Sequence, residues 1–232
     1  MKFRCERDAL VEQLGTASRA VSSRGGALPV LTGIHLSARD DVLTMTGSDL
    51  EITVKASVSV AVIEPGEAVL PSRIAVDIVR SLESGAIDVE VSGEEAKISG
   101  GRSQFSVRTL PVDDFPTLAD PTGDEVTVAT ADLAAGLKQV VRAASGDDAR
   151  PILTGVLMSA EDGGLRLVAT DSYRLAVRDL PDATVLSDGQ KVLVPSRALD
   201  ELSRALGDSE EVTVRLGEKE VTFDVAVDDG AV

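Results

Sequence analysis

The chain has 232 residues, 43% of them hydrophobic, and carries 39 acidic against 23 basic side chains for a formal net charge of −16. That is apolar material enough for one large or two medium cores, and too much acid for a protein that binds nucleic acid through its overall charge. One cysteine and one histidine allow neither an internal disulfide nor a His/Cys zinc cluster, so neither metal nor cofactor is expected.

In chain order, Met1-Lys2-Phe3-Arg4-Cys5-Glu6-Arg7 alternates apolar with charged residues, which predicts a strand and lacks the apolar heart of a signal peptide. No later stretch approaches the roughly 18 apolar residues of a membrane span, and a cytoplasmic protein is expected. Leu10, Val11, Leu14, Ala17 and Val21 fall at helical spacing. Alternating runs at Ile34 to Ala38, Val42 to Thr46, Ile52 to Val62 and Ala68 to Leu70 predict strands, the last leading into Pro71-Ser72-Arg73. Ser72 is the expected N-cap of a second helix with Ile74, Ile78, Val79 and Leu82 on its apolar side. Further strands follow, ending with Arg102-Ser103-Gln104-Phe105-Ser106-Val107-Arg108. Leu110 to Pro121 then holds three prolines in twelve residues, which suits an extended connector rather than a helix or central strand.

The remainder repeats the beginning. Pro29-Val30-Leu31-Thr32-Gly33-Ile34-His35-Leu36-Ser37-Ala38 matches Pro151-Ile152-Leu153-Thr154-Gly155-Val156-Leu157-Met158-Ser159-Ala160 at an offset of 122, with six of ten residues identical. At the same offset Leu43 to Leu50 aligns with Leu165 to Ser172, and at 124 Leu70-Pro71-Ser72-Arg73 aligns with Val194-Pro195-Ser196-Arg197. Leu133, Leu137, Val140, Val141 and Ala144 restate the first helix, and Leu199, Leu202 and Leu206 after Ser196 restate the second. With 2% aromatic residues, the cores must be built from Val, Leu, Ile and Ala. The fold expected is α+β, tandem copies of one unit that packs two helices on antiparallel sheet, over residues 1–121 and 122–232. The closing strand of the second copy is atypical: Ala226-Val227-Asp228-Asp229-Gly230-Ala231-Val232 has turn chemistry where the first copy has a strand. Sheet edge and apolar surface near Val221, Phe223 and Val225 are accordingly expected to be exposed.

Catalytic readings find little support. Asp49 and Asp171 occupy equivalent places in two repeats, too far apart for the roughly 5 to 10 Å of an acid/base pair. Asp147-Asp148 and Asp228-Asp229-Gly230 lack the spaced ligands of a calcium loop, and His35 has no triad partner, so a structural imidazole is expected.

Met1-Lys2-Phe3, the turn Leu28 to Leu31, Thr46-Gly47-Ser48-Asp49-Leu50-Glu51, Leu110-Pro111 with Asp114-Phe115-Pro116, and Ala169 to Val177 together resemble the β sliding clamp of bacterial DNA polymerase III, across residues 1 to about 225. The resemblance implies the DNA-clamp fold and a non-catalytic processivity factor of the replicase. In that family three such units form each subunit, and two subunits close head to tail around duplex DNA with the helices lining the hole. It implies sequence-independent contact with DNA phosphates. The candidates on or beside the helices are Arg24, Arg73, Arg80, Lys138, Arg142, Arg150, Arg197 and Arg204; the competing reading of each is an ordinary solvated helix face. It also implies a pocket for short hydrophobic segments of the polymerase III catalytic subunit, the clamp loader and other clamp-binding proteins, at Leu153, Thr170, Ser172, Tyr173, Arg174 and Leu175. Ser172-Tyr173 stands where some relatives have Gly-His. The third unit is missing, so the chain reads as an incomplete clamp that does not close a two-subunit ring. The alternative is an acidic, repeat-built scaffold that binds proteins and not DNA.

Overall fold

The computed structural model describes the chain except residues 23–27, 118–123, 162–163, 181–188, 208, 218–219, 228–229 and 232, together with the side chains of residues 124, 161, 227, 230 and 231. It divides into two units, residues 1–118 with 229–232, and residues 119–228.

In the first unit, alternation gives β1 (Lys2–Glu6), whose Phe3 and Cys5 face the core. Burial, then the neighbouring carboxylates of Glu6 and Asp88, pushes the Cys5 thiol up to about 12. Helix α1 (Arg7–Ala17) buries Leu10, Gln13, Leu14 and Ala17, and its end tightens into a 3₁₀ turn at Ser18–Ala20. There follow β2 (Gly33–Arg39), β3 (Val42–Ser48), β4 (Thr53–Ser59), β5 (Ala61–Glu64), β6 (Gly66–Pro71), α2 (Ser72–Ser81), β7 (Ala86–Ser92), β8 (Glu95–Gly100) and β9 (Ser103–Arg108). One antiparallel sheet runs β5-β1-β7-β8-β9, and β4-β3-β2-β6 form another. The helices are short, 11 and 10 residues, so their stability comes from the apolar side they bury and not from propensity. Leu10, Leu14, Val76 and Val79 join Phe3, Ile34, Leu43, Met45, Ile87 and Ile98 in one core.

The second unit restates this plan with β10 (Asp124–Ala129), α3 (Thr130–Val140), β11 (Gly155–Glu161), β12 (Gly164–Thr170), β13 (Leu175–Leu180), β14 (Lys191–Pro195), α4 (Ser196–Ala205), β15 (Glu211–Leu216) and β16 (Val221–Val227). Its sheets are β13-β12-β11-β14 and β10-β15-β16. Leu133, Leu137, Leu167, Leu199, Val212 and Val214 lie at the centre of its core. The copies match in register: Leu43 opposes Val58 and Ser48 opposes Thr53, while, 122 residues on, Leu165 opposes Leu180 and Thr170 opposes Leu175. The expected α+β unit of two helices on antiparallel sheet is present twice.

Four details differ from expectation. The run Ile52 to Val62 is not one strand: β4 ends at Ser59, and β5 joins β1 in the other sheet. The main-chain N–H of Val60 donates to the Asp41 carbonyl at 2.9 Å and that of Val62 to the Asp41 carboxylate at 3.1 Å, so Asp41 turns the chain between the sheets. Ser72 and Ser196 are the first residues of their helices and not their N-caps; the caps are Pro71 and Pro195, which end strands that run directly into the helices. The atypical closing segment does form a strand, β17 (Gly230–Ala231), which belongs to the first unit and pairs antiparallel with β4, Gly230 opposite Val58 and Ala231 opposite Ser57. Nor is the preceding strand exposed: Val225 is buried in the second core, with Val221 and Phe223 packed against it.

The connector is bound to the first unit. Val30, Leu31 and Val69 are covered by Leu110, Val112 and Phe115, and the Leu110 N–H donates to the Val69 carbonyl at 2.8 Å. His35 stacks on Phe115 with ring centroids 5.1 Å apart, and its Nε2 lies 3.5 Å from Glu67. The sole histidine thus acts as a fastener for the connector.

Candidate functional site

Helices α1 and α2 pack side by side, as do α3 and α4. The guanidinium of Arg7 on α1 bonds the carbonyls of Val79, at 3.2 Å, and of Arg80 on α2. On α2, Arg73 and Arg80 are seven residues apart and share a side of the helix; Arg197 and Arg204 occupy the same two places on α4, an offset of 124. All four are exposed. An acid sits between each pair, Asp77 and Glu201, and Glu201 accepts from Arg204 at 2.6 Å. Each stripe is therefore two positive charges against one negative, on a surface otherwise dominated by acid. Lys138 lies in the last turn of α3, and Arg142 in the 3₁₀ turn Val141–Ala143 that extends it, both exposed. Arg19 is the first unit's counterpart of Arg142. Arg24 falls outside the described residues.

Arg150 stands apart from these stripes. Its Nε donates to Asp147 at 2.9 Å and its Nη1 to the Ser172 hydroxyl at 3.3 Å, tying the loop before Pro151 to the turn between β12 and β13. The Ala149 N–H, then Arg150, hold the Asp147 carboxyl below the usual carboxylate range. The second turn is built by Asp171, whose Oδ1 accepts the N–H groups of Tyr173 and Arg174 at 3.0 Å while Oδ2 accepts from the Arg174 guanidinium. These bonds hold its carboxyl low as well. Thr170 Oγ1 donates to the Arg174 carbonyl and accepts from the Ser172 N–H. In the first unit Asp49 caps the equivalent turn through the N–H groups of Glu51 and Ile52, and Leu50 and Ser172 share the same left-handed backbone, φ 74° and 78°. Asp171 is a turn-builder in both copies' sense, as its repeat position implied.

The second unit also exposes apolar residues whose counterparts in the first are buried. Val30 is 3% exposed but its counterpart Ile152 is 74%; Val69 is 0% exposed but its counterpart Leu193 is 42%. The difference is the cover. In the first unit the connector lies over these positions, and among the described residues nothing does so in the second. Tyr173 at 93% and Leu175 at 66% are exposed as well, and Leu153 beside Ile152 is half-buried.

Residues 1–119 match the N-terminal domain of the DNA polymerase III beta subunit, and residues 127–229 match its central domain. The chain belongs to the beta sliding clamp family. It is 33% identical over 222 residues to the beta sliding clamp of Streptomyces coelicolor, covering 93% of this chain and 57% of that protein. With the beta sliding clamp of Bacillus subtilis it shares 34% identity over 238 residues, covering 96% of this chain and 62% of the other. Among solved structures, the B. subtilis clamp superposes with a TM-score of 0.90 at 32% identity, and the Pseudomonas aeruginosa clamp bound to griselimycin with 0.88 at 32%. All of this chain and 63% of each of those chains are covered. The chain thus spans about three fifths of the length of the clamps it matches.

Of the expected pocket residues, Thr170, Ser172, Tyr173, Arg174 and Leu175 lie in or beside the turn between β12 and β13, Arg150 is tied to that turn through Ser172, and Leu153 lies in the 3₁₀ turn Pro151–Leu153. Ile152 and Leu193 are further exposed apolar residues of this unit, and sequence reasoning passed both over. Their signal lay in the repeat: each aligns with a residue beside the Leu-Pro/Phe-Pro connector, of which the chain carries one copy for two units. Among the described residues no group of three or more His, Cys, Asp or Glu is placed to hold a metal ion, and no helix is long and apolar enough to cross a membrane.

Proposed function

We propose that this chain serves as the DNA-holding and partner-holding part of a beta sliding clamp, a non-catalytic, cytoplasmic tether for the bacterial replicase. The observation that carries the reading is the repeated arginine stripe, Arg73 and Arg80 on α2 and Arg197 and Arg204 on α4, on a chain of net charge −16. Two exposed guanidinium groups about two helical turns apart suit successive phosphates and read no base. The surrounding acid keeps the attraction local and weak, which is what sliding requires. Lys138 and Arg142 extend the same attraction from α3.

Anisotropy titration of a labelled blunt duplex over a series of salt concentrations tests this. Binding is expected to weaken linearly on a log–log plot, and the variant with Arg73, Arg80, Arg197 and Arg204 all changed to Ala is expected to lose about one unit of slope per arginine that meets a phosphate. An unchanged slope, or no binding at low salt, would sink the DNA reading in favour of a protein-binding scaffold.

The apolar surface at Ile152, Leu193, Tyr173 and Leu175 supports the partner half of the reading: a site for short extended hydrophobic segments, such as the polymerase III catalytic subunit and the clamp loader would present. The chain's own connector is the template, since Leu110, Val112 and Phe115 cover the equivalent residues of the first unit. A peptide with the sequence of Thr109 to Pro116 is therefore the probe. It should bind the chain, and Ile152→Asp should weaken binding at least tenfold, the equivalent of roughly 1.5 kcal/mol of lost apolar burial. Equal binding to both proteins would place the peptide elsewhere.

A further inference from the structure

The connector lies on the first unit as a bound peptide lies in a groove. Val30 and Leu31, in the 3₁₀ turn Pro29–Thr32, and Val69 on β6 form a small apolar cluster of their own, apart from the main core of the unit. Leu110 enters a notch beside Gly33: a Cβ there would come within 2.9 Å of Leu110 Cδ1 and 2.5 Å of Val69 Cγ1. At the same residue the main chain adds itself to the edge of β6, Val69 and Leu110 forming an antiparallel bridge. Val112 covers the cluster two residues on, and the ring of Phe115 packs there too while stacking on His35. A main-chain bond to a strand edge, with apolar side chains seated beside it, is how extended peptides are recognised.

The grip is light. Among the described residues the connector's main chain bonds the body of the unit at Thr109, to the Glu94 carbonyl at 2.9 Å, and at Leu110; from Val112 to Phe115 its bond is internal, the Phe115 N–H to the Val112 carbonyl. Leu110, Val112 and Phe115 all stay partly exposed. Because the cluster beneath them is separate from the main core, the connector can lift by a local opening that leaves helices and sheets in place.

We propose that this groove is a second peptide site, masked by the chain's own connector. When the connector lifts, the first unit takes an extended segment of another protein that carries a leucine, a branched aliphatic residue two positions on and an aromatic residue five on, the pattern of Leu110, Val112 and Phe115. The connector is thus a built-in competitor. Tethered beside the groove, it acts at an effective concentration of about millimolar, and the affinity of any partner is reduced by the fraction of chains in which the groove stands open. The proposal rests on the packing of the first unit and not on the exposed residues of the second.

His35 is the sole histidine of the chain, so its imidazole proton resonances report on this groove alone. Stacked on Phe115, they lie upfield of their ordinary position. In Phe115→Ser, at fixed pH, they should relax to that position, and a peptide with the sequence of Thr109 to Pro116 added in trans should return them upfield. The wild-type chain is titrated with the same peptide carrying cyclohexylalanine for its phenylalanine, which keeps the bulk without the ring current. Its resonances should relax only at peptide concentrations at least about tenfold higher, because the intact connector competes. Circular dichroism checks the fold of the variant; if Phe115→Ser unfolds, Phe115→Leu, which keeps an apolar cover without the ring, gives the same readout. No upfield return at millimolar peptide, an equal return with aspartate in place of the peptide's leucine, or a wild-type chain that yields at the same concentrations as the variant would each overturn the assignment. Ile152→Asp in the second unit should leave the His35 response unchanged, so this reading and that of the second unit's peptide site fail separately.

Discussion

Replacing Gly47 by alanine is expected to cost about 3 kcal/mol of stability, at the upper end of what overpacking a core usually does. Gly47 lies on β3 where the end of α1 crosses it. A Cβ there would overlap the main-chain carbonyl oxygen of Ala17 and come within 3.0 Å of the Val21 side chain. A carbonyl at the end of a helix cannot rotate away as a flexible side chain would, so the helix itself must lift from the sheet. The same position in the second unit is Ala169, buried at 2% exposure, where a Cβ is accommodated. Helix and strand are therefore closer in the first copy, and the substitution asks the first unit to adopt the spacing of the second. Urea denaturation should show the midpoint falling with little change in slope. A loss below about 1 kcal/mol would mean that α1 moves freely and that the close approach is not part of the fold's stability.

Leu167→Ala is expected to cost about 2 to 5 kcal/mol, through the apolar transfer lost and the cavity left. Leu167 is fully buried at the middle of β12, opposite Met158 on one neighbour and Arg178 on the other. Helix α3 sits hard against it: a Cβ at Gly136 would be 3.2 Å from Leu167 Cδ1. A helix held that closely by its own glycine has little room to settle into the void, which favours the upper part of the range. Leu167→Met, which keeps the volume, should cost less than about 1.5 kcal/mol. Equal losses from the two variants would show that the side chain's shape, and not the void, sets the penalty.

The unit plan was legible because the chain states it twice. Periodicity alone placed the four helices, and the offset of 122 placed the equivalent turns, down to the shared left-handed residues Leu50 and Ser172. What periodicity missed has a tertiary cause. Val58, Val60 and Val62 continue one alternation unbroken, and only the bonds from Asp41, some twenty residues earlier in the chain, show that the strand divides between two sheets. Ser72 looked like a cap because serine precedes an apolar helix, but a strand running straight into the helix leaves that role to Pro71. At the candidate site, Arg73, Arg80, Arg197 and Arg204 were legible as basic residues on the expected helices, while their pairing along one side of each helix emerges from the helix bounds. That Arg150 is spent on Asp147 and Ser172 depends on a fold that brings residues 150 and 172 together, which no local pattern records.

The burial of Cys5 has a practical side. Its thiol ionises only near pH 12 and is enclosed in the first unit's core, so at neutral pH the folded chain offers alkylating reagents almost no thiolate. As the single cysteine of 232 residues, it becomes reactive when, and only when, the strand Lys2–Glu6 leaves its place. The molecule thus carries a native label whose rate of modification times the opening of one repeat while remaining silent about the other.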